Sequence, residues 1–185
     1  MKQIIIEGNN YLEGTINISG AKNSAVALVP ASLLSDDIVT IDNIPDISDI
    51  DALNEILKYL GAKVDRNATS MTIDSRNINN KEIPESISSK LRASYYFMSA
   101  LLGKYKHVEM YFPGGCSIGA RPIDQTLKGF RALGATVVEE NNKFIIDAEE
   151  LVGNNVYLDM PSVGATINTI LVAVRAKGKT VIENA

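Results

Sequence analysis

One cysteine is the whole of the thiol chemistry in these 185 residues, so no disulfide can form within the chain and a reducing, cytoplasmic setting is expected. A basic excess is missing too. Eighteen Lys and Arg against 22 Asp and Glu leave a formal charge of −4, which argues against a nucleic-acid partner, because counterion release needs a basic face. Long hydrophobic runs are also lacking. The longest apolar tract, 167–176, is interrupted by Asn168, Thr169 and Arg175 and falls short of the ~20 residues that a bilayer span requires. The apolar run in MKQIIIEGNN is too short for a secretory leader, so no membrane partner is expected. No glycine-rich phosphate loop, no dinucleotide GxGxxG and no paired zinc-ligand spacing occur, which disfavours nucleotide hydrolysis, a Rossmann cofactor and a structural metal. Neither cofactor nor metal is expected.

What the chain does contain is a repeat. LGAKVDRNATSMTID, starting at Leu60, recurs as LGATVVEENNKFIID from Leu133, and upstream segments align Ala21, Ala93 and Ala165. Each unit opens with an apolar helical segment followed by a short strand: Ile38–Asp42, His107–Tyr111 and Lys179–Glu183. The first two units continue into an amphipathic helix and a hairpin. Leu53, Ile56, Leu57 and Leu60 make one apolar stripe, and Ile123, Leu127, Phe130 and Leu133 repeat it. Asp49 or Asp51 is expected to cap the first of these helices, and Gly61 to end it. Pro122 is expected at the first position of the second, which stops at Gly134. Asn67–Ser70 and Asn141–Lys143 read as hairpin turns.

The units divide the chain at about 21–90, 91–154 and 155–185, and the third has only its opening helix and strand. Repeats bury their apolar faces on one another, so a halved unit implies a longer gene product. Residues 1–20 lie outside the repeat and read as a hairpin of Gln3–Glu7 with Thr15–Ser19, belonging with the remainder of that longer product. His107, inside a strand, reads as a structural side chain.

Helices related by a pseudo-threefold run parallel and present their amino ends to one side, where free N–H groups and the helix dipole attract anions. Lys22 and Asn23, Arg92 and Ser94, and Ser162, Gly164 and Thr166 stand at those starts. Singly, each is ordinary: a solvated cation or a plain N-cap. Together they converge with the stretch PGGCSIGARPID, which holds Cys116. A lone cysteine can be a small buried hydrophobe. Here Gly114, Gly115 and Gly119 offer little to bury it, and Arg121 would lower its pKa, which favours an exposed, reactive thiol.

LEGTINISGAKNSA, KLRAS, PGGCSIGARPID, SVGATIN and TVIENA together resemble the UDP-N-acetylglucosamine 1-carboxyvinyltransferases of the enolpyruvyl transferase family, over essentially the whole chain. The resemblance implies an α/β (α+β) fold, an inside-out α/β barrel of pseudo-threefold βαβαββ repeats, here truncated in the third. It also implies a second domain beyond residue 185, with which the first twenty residues pair. The activity it implies is transfer of the enolpyruvyl group of phosphoenolpyruvate to the 3′-hydroxyl of UDP-N-acetylglucosamine, releasing phosphate, at the opening of peptidoglycan synthesis. No metal or organic cofactor takes part.

By the same resemblance, Cys116 donates a proton to the methylene carbon and can form an adduct with phosphoenolpyruvate. Lys22 and Arg121 hold that substrate's phosphate and carboxylate, with Arg92 nearby, and Asn23 contacts the sugar. Arg121, Pro122, Ile123, Asp124 and Gln125 cradle the uridine, and Ser162, Val163 and Gly164 the diphosphate. The general base, an aspartate, lies in the second half, so residues 1–185 alone are expected to be inactive. Met160 and Pro161 stand where many relatives have a basic residue. Two alternatives stay open: a non-catalytic UDP-sugar-binding paralogue and the shikimate-pathway enolpyruvyl transferase, against which the PGGC cysteine speaks.

Overall fold

A computed structural model of the chain describes residues 3–114 and 123–185. The first repeat runs α1 (Lys22–Ala31), a 3-10 turn at 32–34, β1 (Val39–Asp42), α2 (Ser48–Leu60), β2 (Lys63–Arg66) and β3 (Ser70–Asp74). The second has a short helix α3 (Glu85–Ser88) and a 3-10 turn (Arg92–Ser94). These lead into α4 (Tyr95–Tyr105), β4 (His107–Tyr111), α5 (Asp124–Ala132), β5 (Thr136–Glu140) and β6 (Lys143–Asp147). The third supplies β7 (Asn155–Tyr157), α6 (Val163–Ala173) and β8 (Val181–Glu183).

The two complete repeats fold congruently. Each makes a three-stranded antiparallel sheet, ordered β1-β3-β2 and β4-β6-β5. Ile73 stands opposite both Val39 and Val64, and Ile146 opposite both Val108 and Val137. Alternate residues of β3 and β6 point inward, so Met71, Ile73, Phe144 and Ile146 are buried and their neighbours are not, as the period of two demands. β7 and β8 pair in parallel.

The helical stripes pack as their spacing predicts. Leu53, Ile56, Leu57 and Leu60 are completely buried, as are Phe130 and Leu133, each contributing ~1.5–3 kcal/mol of apolar burial. Gly61 and Gly134 end the two stripes with φ of 98° and 99°, a left-handed conformation that costs a side chain about 1 kcal/mol or more. Asn141 and Asn142, φ 50° and 60°, turn β5 into β6, as a type I′ hairpin requires.

Three expectations are corrected. Ile47, not an aspartate, is the N-cap of α2; Asp49 and Asp51 lie in the first turn, where the helix dipole favours them without a capping bond. The second amphipathic helix begins at Asp124 with Ile123 as its N-cap, and Pro122 lies outside the described residues. Residues 3–20 form no strands: Ile4, Ile5, Ile6, Leu12, Ile16 and Ile18 stay in solvent. Alternation gave that segment a strand-like face, but two isolated strands with nothing to cover them are marginal in water.

Helix direction is fixed by side-chain contacts. The Tyr95 hydroxyl meets Gly164 and Ser99 bonds Asn168 one turn later, so α4 and α6 run side by side in the same sense. At their far ends Lys104 donates to the Ser35 carbonyl at 2.9 Å and Arg175 to that of Leu34. The carboxyl ends of α1, α4 and α6 therefore meet, with cations from α4 and from just after α6 on the carbonyls that follow α1. Their amino ends share the opposite pole. α4, buried on nearly every side, is the central element, with α1 and α6 against it. Among the described residues no helix is long and apolar enough to cross a membrane.

Candidate functional site

Four helices begin at the common amino pole. Lys22 opens α1, its Nζ 2.6 Å from an Asp49 oxygen, with exposed Asn23 beside it. Arg92 opens the turn into α4, and its guanidinium lies 5.8 Å from the centre of the Tyr95 ring. Asp124 opens α5. Ser162 is the N-cap of α6, its Oγ accepting from the Ala165 N–H at 3.3 Å, so its cap role is real. Val163 is exposed.

Gln125 explains why the starts of α5 and α6 are neighbours. Its Oε1 accepts from the Asp159 N–H at 2.8 Å, and its Nε2 donates at 3.2 Å to the Asp159 and Asp124 carboxylates. Lys128 and then Gln125 hold the Asp159 carboxyl below its usual range. Gln125 is nearly buried, so its amide ties α5 to the segment entering α6. A turn further along, Gly129 lies against the Thr169 side chain, so α5 runs in the same sense as α6.

Beside these starts lies a cavity of about 390 Å³. Its floor is apolar: Phe112 and Phe144 stack with ring centres 4.5 Å apart, joined by Pro113, Ile123 and Leu127. Arg92, Arg131, Asp124 and Glu139 form its charged rim. A flat apolar lining with a few converging charges suits a ring carrying an anionic group. Pro113 and Ile123 flank the segment 115–122, so Cys116, Arg121 and Pro122 lie outside the described residues.

Of the other sequence candidates, Arg92, Ile123 and Asp124 line the cavity and Gln125 braces it from behind. Lys22, Asn23, Ser162, Val163 and Gly164 share the pole but not the cavity wall. Gly164 is not open to an approaching oxyanion on its α-carbon side, because a side chain there would stand 1.9 Å from the Tyr95 hydroxyl. His107 is structural, its Nδ1 2.7 Å from Asp147 on the paired strand. Phe112, Phe144, Arg131 and Glu139 were not foreseen: Glu139 and Phe144 lie in the repeated hairpin, which marks fold and not chemistry, and the two rings meet only through the β4–β6 register.

The family model described as EPSP synthase (3-phosphoshikimate 1-carboxyvinyltransferase) matches residues 6–185. The chain is 51% identical over 185 residues to UDP-N-acetylglucosamine 1-carboxyvinyltransferase 2 of Oceanobacillus iheyensis, an alignment covering 100% of this chain and 43% of that protein. The Geobacillus kaustophilus protein of the same name is 50% identical, with the same coverage. Among solved structures, the enolpyruvyl transferase NikO from Streptomyces tendae has a TM-score of 0.79 at 22% identity, covering 95% of this chain and 41% of that one. An EPSP synthase from Acinetobacter baumannii gives 0.67 at 18%, covering 93% and 40%. These structural likenesses concern the fold. The chain spans less than half the length of the curated relatives it matches.

Proposed function

Since the chain belongs to the EPSP synthase family of carboxyvinyltransferases, we propose that it is the amino-terminal portion of an enzyme that transfers the enolpyruvyl group of phosphoenolpyruvate to the 3′-hydroxyl of UDP-N-acetylglucosamine. The observation that carries this choice of acceptor is half identity, over every residue of the chain, to proteins named for that reaction. The common pole of helix starts supports it, because a nucleotide diphosphate and a phosphorylated enol are both anions.

In this reading the methylene carbon of phosphoenolpyruvate takes a proton while the 3′-hydroxyl gives its own proton to the aspartate base of the second half and its oxygen adds to the neighbouring carbon. Loss of a proton from the resulting methyl group and departure of phosphate restore the double bond. Cys116 is the proton donor and Arg121 a partner of the substrate anion. Arg92 supplies positive charge at the rim, as such developing charge requires. Lys22 reaches the phosphate by exchanging Asp49, its half-exposed ammonium turning away from a carboxylate that is 18% exposed. Asn23 meets the sugar, Ile123 to Gln125 carry the uridine side, and Ser162, Val163 and Gly164 the diphosphate. The apolar floor of the cavity suits the base. Residues 1–20 pair with the second domain, whose absence leaves residues 1–185 inactive alone. This assignment makes the protein a soluble, cytoplasmic enzyme of peptidoglycan synthesis.

Phosphate release tests it. The complete gene product is expected to release phosphate from phosphoenolpyruvate only with UDP-N-acetylglucosamine, and residues 1–185 alone are expected to release none. Release dependent on shikimate 3-phosphate would transfer the protein to the other branch of the family. Fosfomycin is expected to add its mass at Cys116; UDP-sugar binding without that adduct or turnover would mark a binding module.

A further inference from the structure

The sequence assigns Gly164 to the anion site, yet the structure puts a tyrosine against it. Tyr95 is the first residue of α4, 7% exposed, and its ring reaches in two directions. On one side is the guanidinium of Arg92, 5.8 Å from the ring centre. On the other is Gly164: a Cβ built there would lie 1.9 Å from the phenolic oxygen and 3.2 Å from Cζ. Real Cβ atoms do not tolerate such contacts, so the phenol and the absence of a side chain at Gly164 are a matched pair.

The rest of the α4–α6 seam holds the same residue. Asn168 Nδ2 donates to the Gly164 carbonyl at 2.8 Å, and its Oδ1 accepts from the Ser99 hydroxyl. Thr169 donates to the Ala165 carbonyl at 2.8 Å. Asn168, Ser99 and Thr169 are fully buried, where an unsatisfied polar group is costly and a satisfied one fixes geometry. Burial, followed by the Tyr96 hydroxyl, pushes the Tyr95 phenol well above its ordinary range, so it stays neutral and compatible with this site throughout the physiological range.

From this seam we infer that Tyr95, backed by Asn168, is a positioning residue for the acceptor nucleotide. It sets where the first turn of α6 presents its N–H groups. The inference rests on the assignment of residues 162–164 to the diphosphate. Tyr95 touches no reacting atom; it acts through Gly164.

The test is steady-state phosphate release by the complete gene product with each substrate varied, for Tyr95→Phe, Tyr95→Leu, Gly164→Ala and the double variant Gly164→Ala with Tyr95→Phe. Tyr95→Leu and Gly164→Ala are expected to raise KM for UDP-N-acetylglucosamine about tenfold or more, with KM for phosphoenolpyruvate moving less than about twofold. Tyr95→Phe keeps the ring and is expected to stay within about threefold of the parent. In the double variant the oxygen is gone and only the 3.2 Å ring contact remains, so at least half of the loss in Gly164→Ala is expected to return. Equal KM changes for both substrates, or no relief of Gly164→Ala by Tyr95→Phe, would overturn the inference. Should Tyr95→Leu fail to fold, the Gly164→Ala pair decides alone. A parent inactive with the UDP-sugar overturns the assignment and the inference together, whereas an active parent with unmoved variants overturns only the inference.

Discussion

The first and second repeats share sheet order, register and core, and differ in the same place. In the first, residues 43–47 connect β1 to α2; in the second, residues 112–123 connect β4 to α5, more than twice the length. Beneath the short connection Arg66 crosses a polar groove to Asp46 at 2.8 Å and to Asp51 at 2.5 Å. The repeat places Glu139 at the position of Arg66 and Asp124 at that of Asp51. Two carboxylates cannot bridge: where the first repeat has a polar groove lined by Asp46, Lys58 and Arg66, the second has an aromatic-floored cavity with Arg92 and Arg131 on its rim. One change of charge and a longer connection thus distinguish two repeats whose packing underneath stays the same.

If the packing is common to both repeats, truncating matched positions should cost matched amounts. Leu57→Ala and Phe130→Ala, each emptying a completely buried position, are expected to lower stability by about 2–5 kcal/mol in urea unfolding. A loss confined to one repeat would mean that the two cores are not equivalent. Glu139→Arg imitates the first repeat by offering Asp124 a partner. It is expected to weaken UDP-N-acetylglucosamine binding about tenfold, read by calorimetry, with stability changed by less than about 1 kcal/mol. Unchanged binding would remove the cavity from the site. Gly61→Ala and Gly134→Ala both place a methyl at positive φ; Gly61→Ala is expected to cost about 1 kcal/mol, and Gly134→Ala more, read as a larger shift in the unfolding midpoint, because its methyl would stand 2.9 Å from the Glu150 carbonyl while nothing lies nearer than 3.8 Å at Gly61.

The smallest effect is in acid. Arg76, bonded to Asp74, lowers that carboxyl to about 2 from an ordinary 3.8. A depressed carboxyl stabilises the fold above its unfolded pKa and loses that contribution as pH falls through the folded value. Between pH 4 and 2 the parent should therefore lose stability with a slope that Arg76→Gln flattens, by a small amount because the pair is exposed. An identical slope in the variant would assign acid unfolding to other groups, such as Asp159 with Lys128.

Much of this architecture was legible because repetition doubles every signal. Two stripes ending at two glycines, and two hairpins in one register, leave little room for another pairing. β7 and α3 were not legible, since they are short and, unlike β1, β2 and β8, have no counterpart among the named elements of another unit. Residues 3–20 misled for the opposite reason: alternation identifies a face that wants covering but not what covers it. Within the site, the charged helix starts stood out in sequence. The aromatic floor did not, because Phe112 and Phe144 become neighbours only after β4 and β6 pair. Tyr95 was hidden as one apolar residue in an apolar helix, and only coordinates reveal what its hydroxyl meets.

The exposed isoleucines of the amino-terminal arm bear on how these residues behave in the test tube. Ile4, Ile5, Ile6, Ile16 and Ile18, each more than four-fifths in water, form a sticky strip rich in β-formers with unpaired backbone. Residues 1–185 produced on their own should accordingly self-associate at high concentration, and proteolytic trimming before α1 should return a monodisperse, still folded remainder.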